Sequence, residues 1–438
     1  MAETIKWIGG AAAVAQVDDF TPSDPAQNDT ITLTVTGENG DTVALVYTAT
    51  VTHTVAASIA GMVALWNAST HYLCTPITAS DNASTTIKLT ADTAGVPFTV
   101  VPTCSAGTFT RAATTANSGP YDYKTAANWD LARAPGTVAT QSIIIESATI
   151  LYGLNQTACA EAPYYVEINN SQISANPGTG RNPAYLYWDD AANICINNYY
   201  GPGSPTYAAP MFVKSAVASA VINVYASGTN SNTTLPPVWL FTTEDTAVVN
   251  VHSGSAGIGY EEKFGATTAK LATLTVGSGA YVYIGTCATT TIINNGGTIV
   301  RNHRGAYITT YRQNSGSLTG YGSVTTAYID GGTYSCYADV TTMYVNGGSV
   351  TIKAGGAYTG ATTTLTQTGG TVYYNDGVLT AANVSGGLLD TTQSGSTKTI
   401  TTLKVDPPGS FKYNPAQTTL TNKVQPVSTN KIVTYSAS

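Results

Sequence analysis

The sequence predicts a mainly β chain: a small N-terminal α+β module followed by a parallel β-helix, or β-solenoid. Three observations carry this. Apolar residues alternate with period two in the first hundred residues, interrupted by one run at helical spacing. Glycines recur about every 19 residues through the last third. Only 18 Lys+Arg and 25 Asp+Glu are present in 438 residues, or 10 % charged, where about a quarter is usual. With 43 % hydrophobic residues, 28 Tyr and 42 Gly, the composition is that of a folded chain whose surface is Thr, Ser, Asn and Tyr.

Residues 1–115 read as the α+β module. Thr30–Thr36 and Thr42–Thr48 alternate apolar with polar residues, and the Asn39-Gly40 pair between them accepts the positive φ of a tight turn, so the two runs should pair antiparallel. Val55, Ile59, Met62, Val63 and Trp66 then mark an amphipathic helix of about four turns with Thr54 as its N-cap. Thr85–Thr90 and Pro97–Val101 supply further strands, split by the turn residues Asp92 and Gly95.

Residues 116–260 read as an irregular β region, either early solenoid coils or a cap. Asn117-Ser118-Gly119-Pro120 is a loop, Ile143-Ile144-Ile145 a buried strand, and Val221–Tyr225 a short strand between Pro/Gly/Asn-rich segments. The aromatic stretch Tyr185–Asp190 and the pair Tyr199-Tyr200 fall here.

Residues 261–420 carry the repeat, and 421–438 form a C-terminal tail or cap. Gly279, Gly297, Gly316, Gly332, Gly348, Gly370, Gly387 and Gly409 are separated by 18, 19, 16, 16, 22, 17 and 22 residues. Each unit reads as a Thr-rich strand, a polar residue, Gly-Gly or a substitute, and a second short strand; Thr341–Ile352 and Thr363–Tyr373 are the clearest copies. Two short strands and a glycine corner per unit suit one coil of a solenoid, with a right-handed path expected from the crossover preference. A run of β-sandwiches would instead bring about seven strands per ~100 residues. Neutral Thr, Ser and Asn also avoid setting like charges above one another on stacked coils.

Function classes narrow on the same residues. A net charge of −7 without any basic block argues against nucleic acid. No apolar stretch approaches the ~18–20 residues of a membrane-spanning helix, and Met1–Trp7 lacks a signal pattern, so folding in a cytoplasm is expected. Cys74, Cys104, Cys159, Cys195, Cys287 and Cys336 are scattered singly and read as buried thiols, with no metal and no cofactor expected.

Catalysis in a β-helix would need paired carboxylates on neighbouring coils. Asp330, Asp339, Asp376, Glu261-Glu262 and Asp189-Asp190 are the available acids, and none recurs as a pair at one repeat spacing, so they read as turn carboxylates. His53, His71, His252 and His303 are far apart and have no nucleophile motif beside them. Arg301-Asn302-His303-Arg304 reads as an exposed corner suited to an intersubunit ion pair. The chain is therefore read as not an enzyme, with no catalytic residue named. Its tyrosines suit either sugar stacking or protein interfaces, and the scarcity of charge to desolvate favours self-association.

Thr4–Gly10, the phrase Leu89–Val100 and the Asn128-Trp129 segment leading into a β-solenoid resemble structural proteins of tailed bacteriophages and prophages: head decoration proteins, head fibres and tail spikes. The resemblance implies a virion protein assembled in the host cytoplasm. It also implies a homotrimer with residues 1–115 anchored on the major capsid protein or a tail component. No family active-site residue carries over. Two alternatives stand beside this reading: a tail spike or fibre that binds, or also cleaves, host surface polysaccharide, and a self-assembling extracellular filament subunit.

Overall fold

The computed structural model describes residues 3–37, 41–51, 54–135, 141–153, 163–169, 171–173, 186–187, 193–197, 211–225, 236, 238–259, 269–301, 307–355, 358–424 and 432–434. The chain divides into two compact units, residues 1–161 with 171–187, and residues 162–170 with 188–438. Among the described residues no helix is long and apolar enough to cross a membrane.

In the first unit two antiparallel sheets and one helix share a core. The three-stranded sheet runs Thr42–Thr48, Thr30–Thr36, Thr99–Cys104, and the four-stranded sheet runs Ile77–Asn82, Thr86–Ala91, Val17–Pro22, Phe109–Thr115. The hairpin has the expected register, Thr30 opposite Thr48 through Thr36 opposite Thr42. The helix spans Val55–Asn67, and the Thr54 hydroxyl accepts the Ala57 N–H at 3.1 Å, satisfying one orphan donor of the first turn. Ile59, Met62 and Trp66 of the helix pack with Phe20, Leu33, Ile87 and Leu89 of the sheets. Gly61 permits this approach, because a Cβ there would lie 2.0 Å from the Tyr47 ring.

Two strands of this module escape the sequence pattern. Val17–Pro22 turns Asp18 inward, where Gln16 Nε2 and Arg111 Nε each donate to its Oδ2 at 2.9 Å. Phe109–Thr115 exposes most of its side chains, so little alternation survives in its sequence.

The ends of the module are fastened together. Val14 N–H donates to the Ser118 carbonyl at 2.7 Å, and Gly95 N–H donates to Val14 at 3.1 Å. Outside this point, Thr4–Lys6 pairs in parallel with Ser142–Ile144, and Trp7, Tyr123 and Trp129 cluster beside it. Asn128, fully buried, donates to the Gly119 and Asp122 carbonyls and accepts the Ala11 N–H.

The second unit is the solenoid, and every strand pairing among its described residues is parallel. One sheet stacks the strands Pro163–Asn169, Asn193–Asn197, Val221–Tyr225, Val248–Ser253 and Ala269–Val276, and continues through the repeats to Thr418–Val424. The other stacks Met211–Ser215, Val238–Thr242, Ser255–Ile258 and Tyr281–Ile284, and continues to Ile432–Thr434. Inward columns build the core. Leu274, Ile292, Tyr311, Ala327, Met343 and Leu365 follow one another in the first sheet, while Ile299, Leu318, Tyr334, Val350 and Val372 do so in the second.

The glycine corner follows from geometry. Gly332, Gly348, Gly370 and Gly387 have φ between 65 and 74°, and each sits on its predecessor: a Cβ on Gly348 would lie 2.5 Å from the Gly332 carbonyl oxygen. From Val324 onward this corner between the two sheets keeps nearly constant length, whereas the return from the second sheet to the first varies.

Candidate binding face of the solenoid

Outward positions of the first sheet form columns along the solenoid. One holds Thr291, Thr310, Thr326, Thr342 and Thr364; the next holds Arg312, Tyr328, Tyr344, Thr366 and Asn383. Parallel in-register pairing places equivalent residues about 4.8 Å apart, so flat side chains stack along the column. The Tyr328 and Tyr344 rings lie 4.9 Å apart and within 8° of parallel, and the Arg312 guanidinium sits 4.4 Å from the Tyr328 centroid.

This stacking decides what the tyrosines can bind. A sugar platform needs an aromatic face turned to solvent. Here both faces of Tyr328 are covered, one by Arg312 and the other by Tyr344, and the rings turn their edges outward. Tyr225 and His252 repeat the arrangement at 4.4 Å and 4°. His252 Nε2 also lies 3.3 Å from Asn223 Oδ1, whose other contact is the Asn250 amide at 3.1 Å.

The carboxylates named from the sequence hold loops and corners. Asp330 Oδ1 accepts from Asn346, whose own Oδ1 accepts from Thr368, making a polar ladder just before the glycines. Asp339 Oδ1 accepts the N–H groups of Thr359 and Ala361 and the Thr359 hydroxyl. Asp376 Oδ2 accepts the Ala354 N–H at 3.2 Å. Glu261-Glu262, Asp189-Asp190, His53, His303, Cys159, Tyr199-Tyr200, and Tyr185 and Trp188 of the aromatic stretch lie outside the described residues. His71 stacks on Tyr72, and its Nδ1 accepts the Leu73 N–H.

Arg301 corrects an expectation. It is buried, 2 % exposed, rather than at an open corner, and Nη1 donates to the Gly322 carbonyl at 3.2 Å. Its position is inward at the end of a second-sheet strand, in the column Ile284, Arg301, Gly320, Cys336. Gly320 makes room, since a Cβ there would lie 2.6 Å from the Arg301 Cβ. Burial lowers the guanidinium pKa. Residues 302–304 lie outside the described set.

Cys74, Cys287 and Cys336 are buried free thiols, while Cys104 and Cys195 are half-buried. Burial pushes Cys287 up to about 11, against a hydrogen bond from Thr289 and the charge of Arg301. Among the described residues no cluster of three or more His, Cys, Asp or Glu is arranged to hold a metal ion.

Sequence reasoning missed a set of interior amides and a buried charge cluster. Asn294, Gln313 and Gln367 occupy an inward column otherwise filled by Ile329, Val345 and Val384. Asn294 Oδ1 accepts the Gly296 and Gly297 N–H groups; Gln313 and Gln367 donate to glycine carbonyls of the corners. Their signal was an amide two or three residues before the glycines, at an apolar position of the repeat. Asp390 is 2 % exposed; burial would raise its pKa, but hydrogen bonds from Thr392 and Gln393 and the charge of Lys412 lower it overall. Lys398, also buried, donates to the Thr391 and Ser394 carbonyls, and its pKa is lowered by burial.

Protein-family models, curated proteins and solved structures contain no match to this chain.

Proposed function

We propose that the chain is a non-enzymatic structural protein of a tailed-phage particle, a homotrimeric capsid decoration protein or head fibre that works by protein–protein binding. The observation that carries the binding reading is the edge-out tyrosine stack beside a column of threonines. Covered ring faces favour a protein surface over a sugar ring as the partner, and neutral hydroxyls lose little on being covered by another chain. The engagement of Asp330, Asp339 and Asp376 with loop and corner groups supports the non-enzymatic part. The sequence phrases at Thr4–Gly10, Leu89–Val100 and Asn128-Trp129 support the phage assignment.

Light scattering of the intact protein tests this reading. A mass of three copies of the 45.2 kDa chain is expected. Thr342→Lys with Thr364→Lys should reduce it to one copy while the far-UV spectrum stays β. A wild-type monomer overturns the trimer, and cleavage of a surface polysaccharide overturns the non-enzymatic reading.

A further inference from the structure

The strand Thr42–Thr48 is an edge without the usual protection. Native edge strands are blunted by charge, proline, bulges or very short length. The opposite edge of its own sheet carries Pro102, and the two edges of the other sheet carry Asp81 and Arg111. Thr42-Val43-Ala44-Leu45-Val46-Tyr47-Thr48 has none of these, and it pairs with Thr30–Thr36 over seven residues without a bulge.

Its free backbone groups can be assigned. Gly37 N–H bonds to the Asp41 carbonyl and Ala49 N–H to the Asp29 carbonyl, and both couples lie on the ladder that sets Leu33 opposite Leu45. Hydrogen-bonded couples alternate along an antiparallel ladder. Residues 41, 43, 45, 47 and 49 are therefore bonded to the neighbouring strand, while Thr42, Ala44, Val46 and Thr48 turn N–H and C=O to the open edge. Val43, Leu45 and Tyr47 point inward yet are only half-buried, and Val46 is 51 % exposed. The following helix packs against the inner side, through Gly61 on Tyr47.

We propose that this edge pairs antiparallel with the same strand of a second copy, about a twofold axis at Leu45. The sequence is self-complementary about that point. Thr42 meets Thr48, Val43 meets Tyr47, Ala44 meets Val46 and Leu45 meets itself, so no like charges face one another and apolar or β-branched residues meet in every pair. The parity also fits: the couples Thr42/Thr48 and Ala44/Val46 are the residues whose N–H and C=O groups are free. The result is an isologous contact. It goes beyond the proposed function, because it joins copies in twos whatever number the solenoid brings together.

Val46→Pro removes only an edge-facing N–H and blocks pairing from that edge. Val101→Lys, on the same exposed face but the far edge, is the control. Light scattering across a range of protein concentration should show a twofold rise in mass for wild type and Val101→Lys, and none for Val46→Pro. No twofold step in wild type, or its survival in Val46→Pro, overturns the proposal, as does its loss in both variants. Should Val46→Pro lose its far-UV spectrum, amide exchange in the wild type decides: Ala44 and Val46 slow with rising concentration if the edges pair and exchange independently of it if they do not. Failure of the trimer reading would alter the base mass but not the concentration-dependent rise that Val46→Pro removes.

Discussion

Trp7 meets Trp129 edge to face, with ring centroids 5.1 Å apart and planes at 88°. The contact ties the start of the chain to a segment lying beyond the whole α+β module. Trp129 is 1 % exposed and donates its indole N–H to the Tyr123 carbonyl. Trp129→Ala should destabilise the first unit by about 3–5 kcal/mol, the range for a large-to-small aromatic truncation in a core. A urea titration followed by tryptophan fluorescence measures it, and a loss below about 1 kcal/mol would show the cluster to be peripheral.

The same geometry sets where the module can be cut. Removing residues 1–115 would strip Thr4–Lys6 from Ser142–Ile144, whereas removing 15–117 and joining Val14 to Ser118 spans two residues already hydrogen-bonded to each other. The internal deletion should keep the cooperative thermal transition of the remaining chain. The longer truncation should lower its melting temperature. Differential scanning calorimetry of both proteins is the check.

Gly348→Ala should destabilise the solenoid by about 2–4 kcal/mol, because φ is 73° and the new Cβ would meet the Gly332 carbonyl oxygen at 2.5 Å. Gly279 has a similar φ of 77° but nothing within 4 Å of its Cβ position, so Gly279→Ala should lose only the conformational part, about 1–2 kcal/mol. Equal losses in chemical denaturation would show that stacking adds nothing to the glycine requirement.

Alkaline pH should weaken the solenoid. The Cys287 pKa is raised from 9.0 to about 11, so the unfolded chain releases this proton first. The associated stability is present below pH 9 and is lost as pH rises toward 11, a loss of about 2–3 kcal/mol. Tyr311 and Tyr374, both raised by burial, extend the decline above pH 10. Cys287→Ala should flatten the slope between pH 9 and 11, whatever it does at neutral pH. An unchanged slope would assign the alkaline loss to the other buried thiol, Cys336, and the tyrosines.

The repeat was legible because its glycines answer a local requirement. Their spacings of 18, 19, 16, 16, 22 and 17 match the steps between stacked residues Leu274, Ile292, Tyr311, Ala327, Met343, Leu365 and Ala382. The first coils carry less of this mark. Ile194, Ile222 and Val249 stack just as closely at steps of 28 and 27. The glycine series starts with Gly254, which precedes Gly279 by 25 residues just as Val249 precedes Leu274 and went uncounted in the sequence because its coil is longer. Arg301 and Asp18 were hidden for another reason: a charged residue reads as exposed, and only three-dimensional neighbours such as Gly320 or Gln16 reveal that it is buried. The tyrosines were visible as a composition, but their ring orientation depends on which coil each one meets.

The returns from the second sheet to the first differ from coil to coil: residues 337–339, then 353–361, then 375–376, then 391–397. Since the strands on either side stay in register throughout, a lineage of this chain can lengthen or shorten one side of the coil without disturbing its neighbours. Natural variation in length among these coils should therefore collect along that single side, while the two sheets and the glycine corner keep a fixed pitch. From Val324 onward the solenoid would then act as a ruler, with its interchangeable parts confined to one margin.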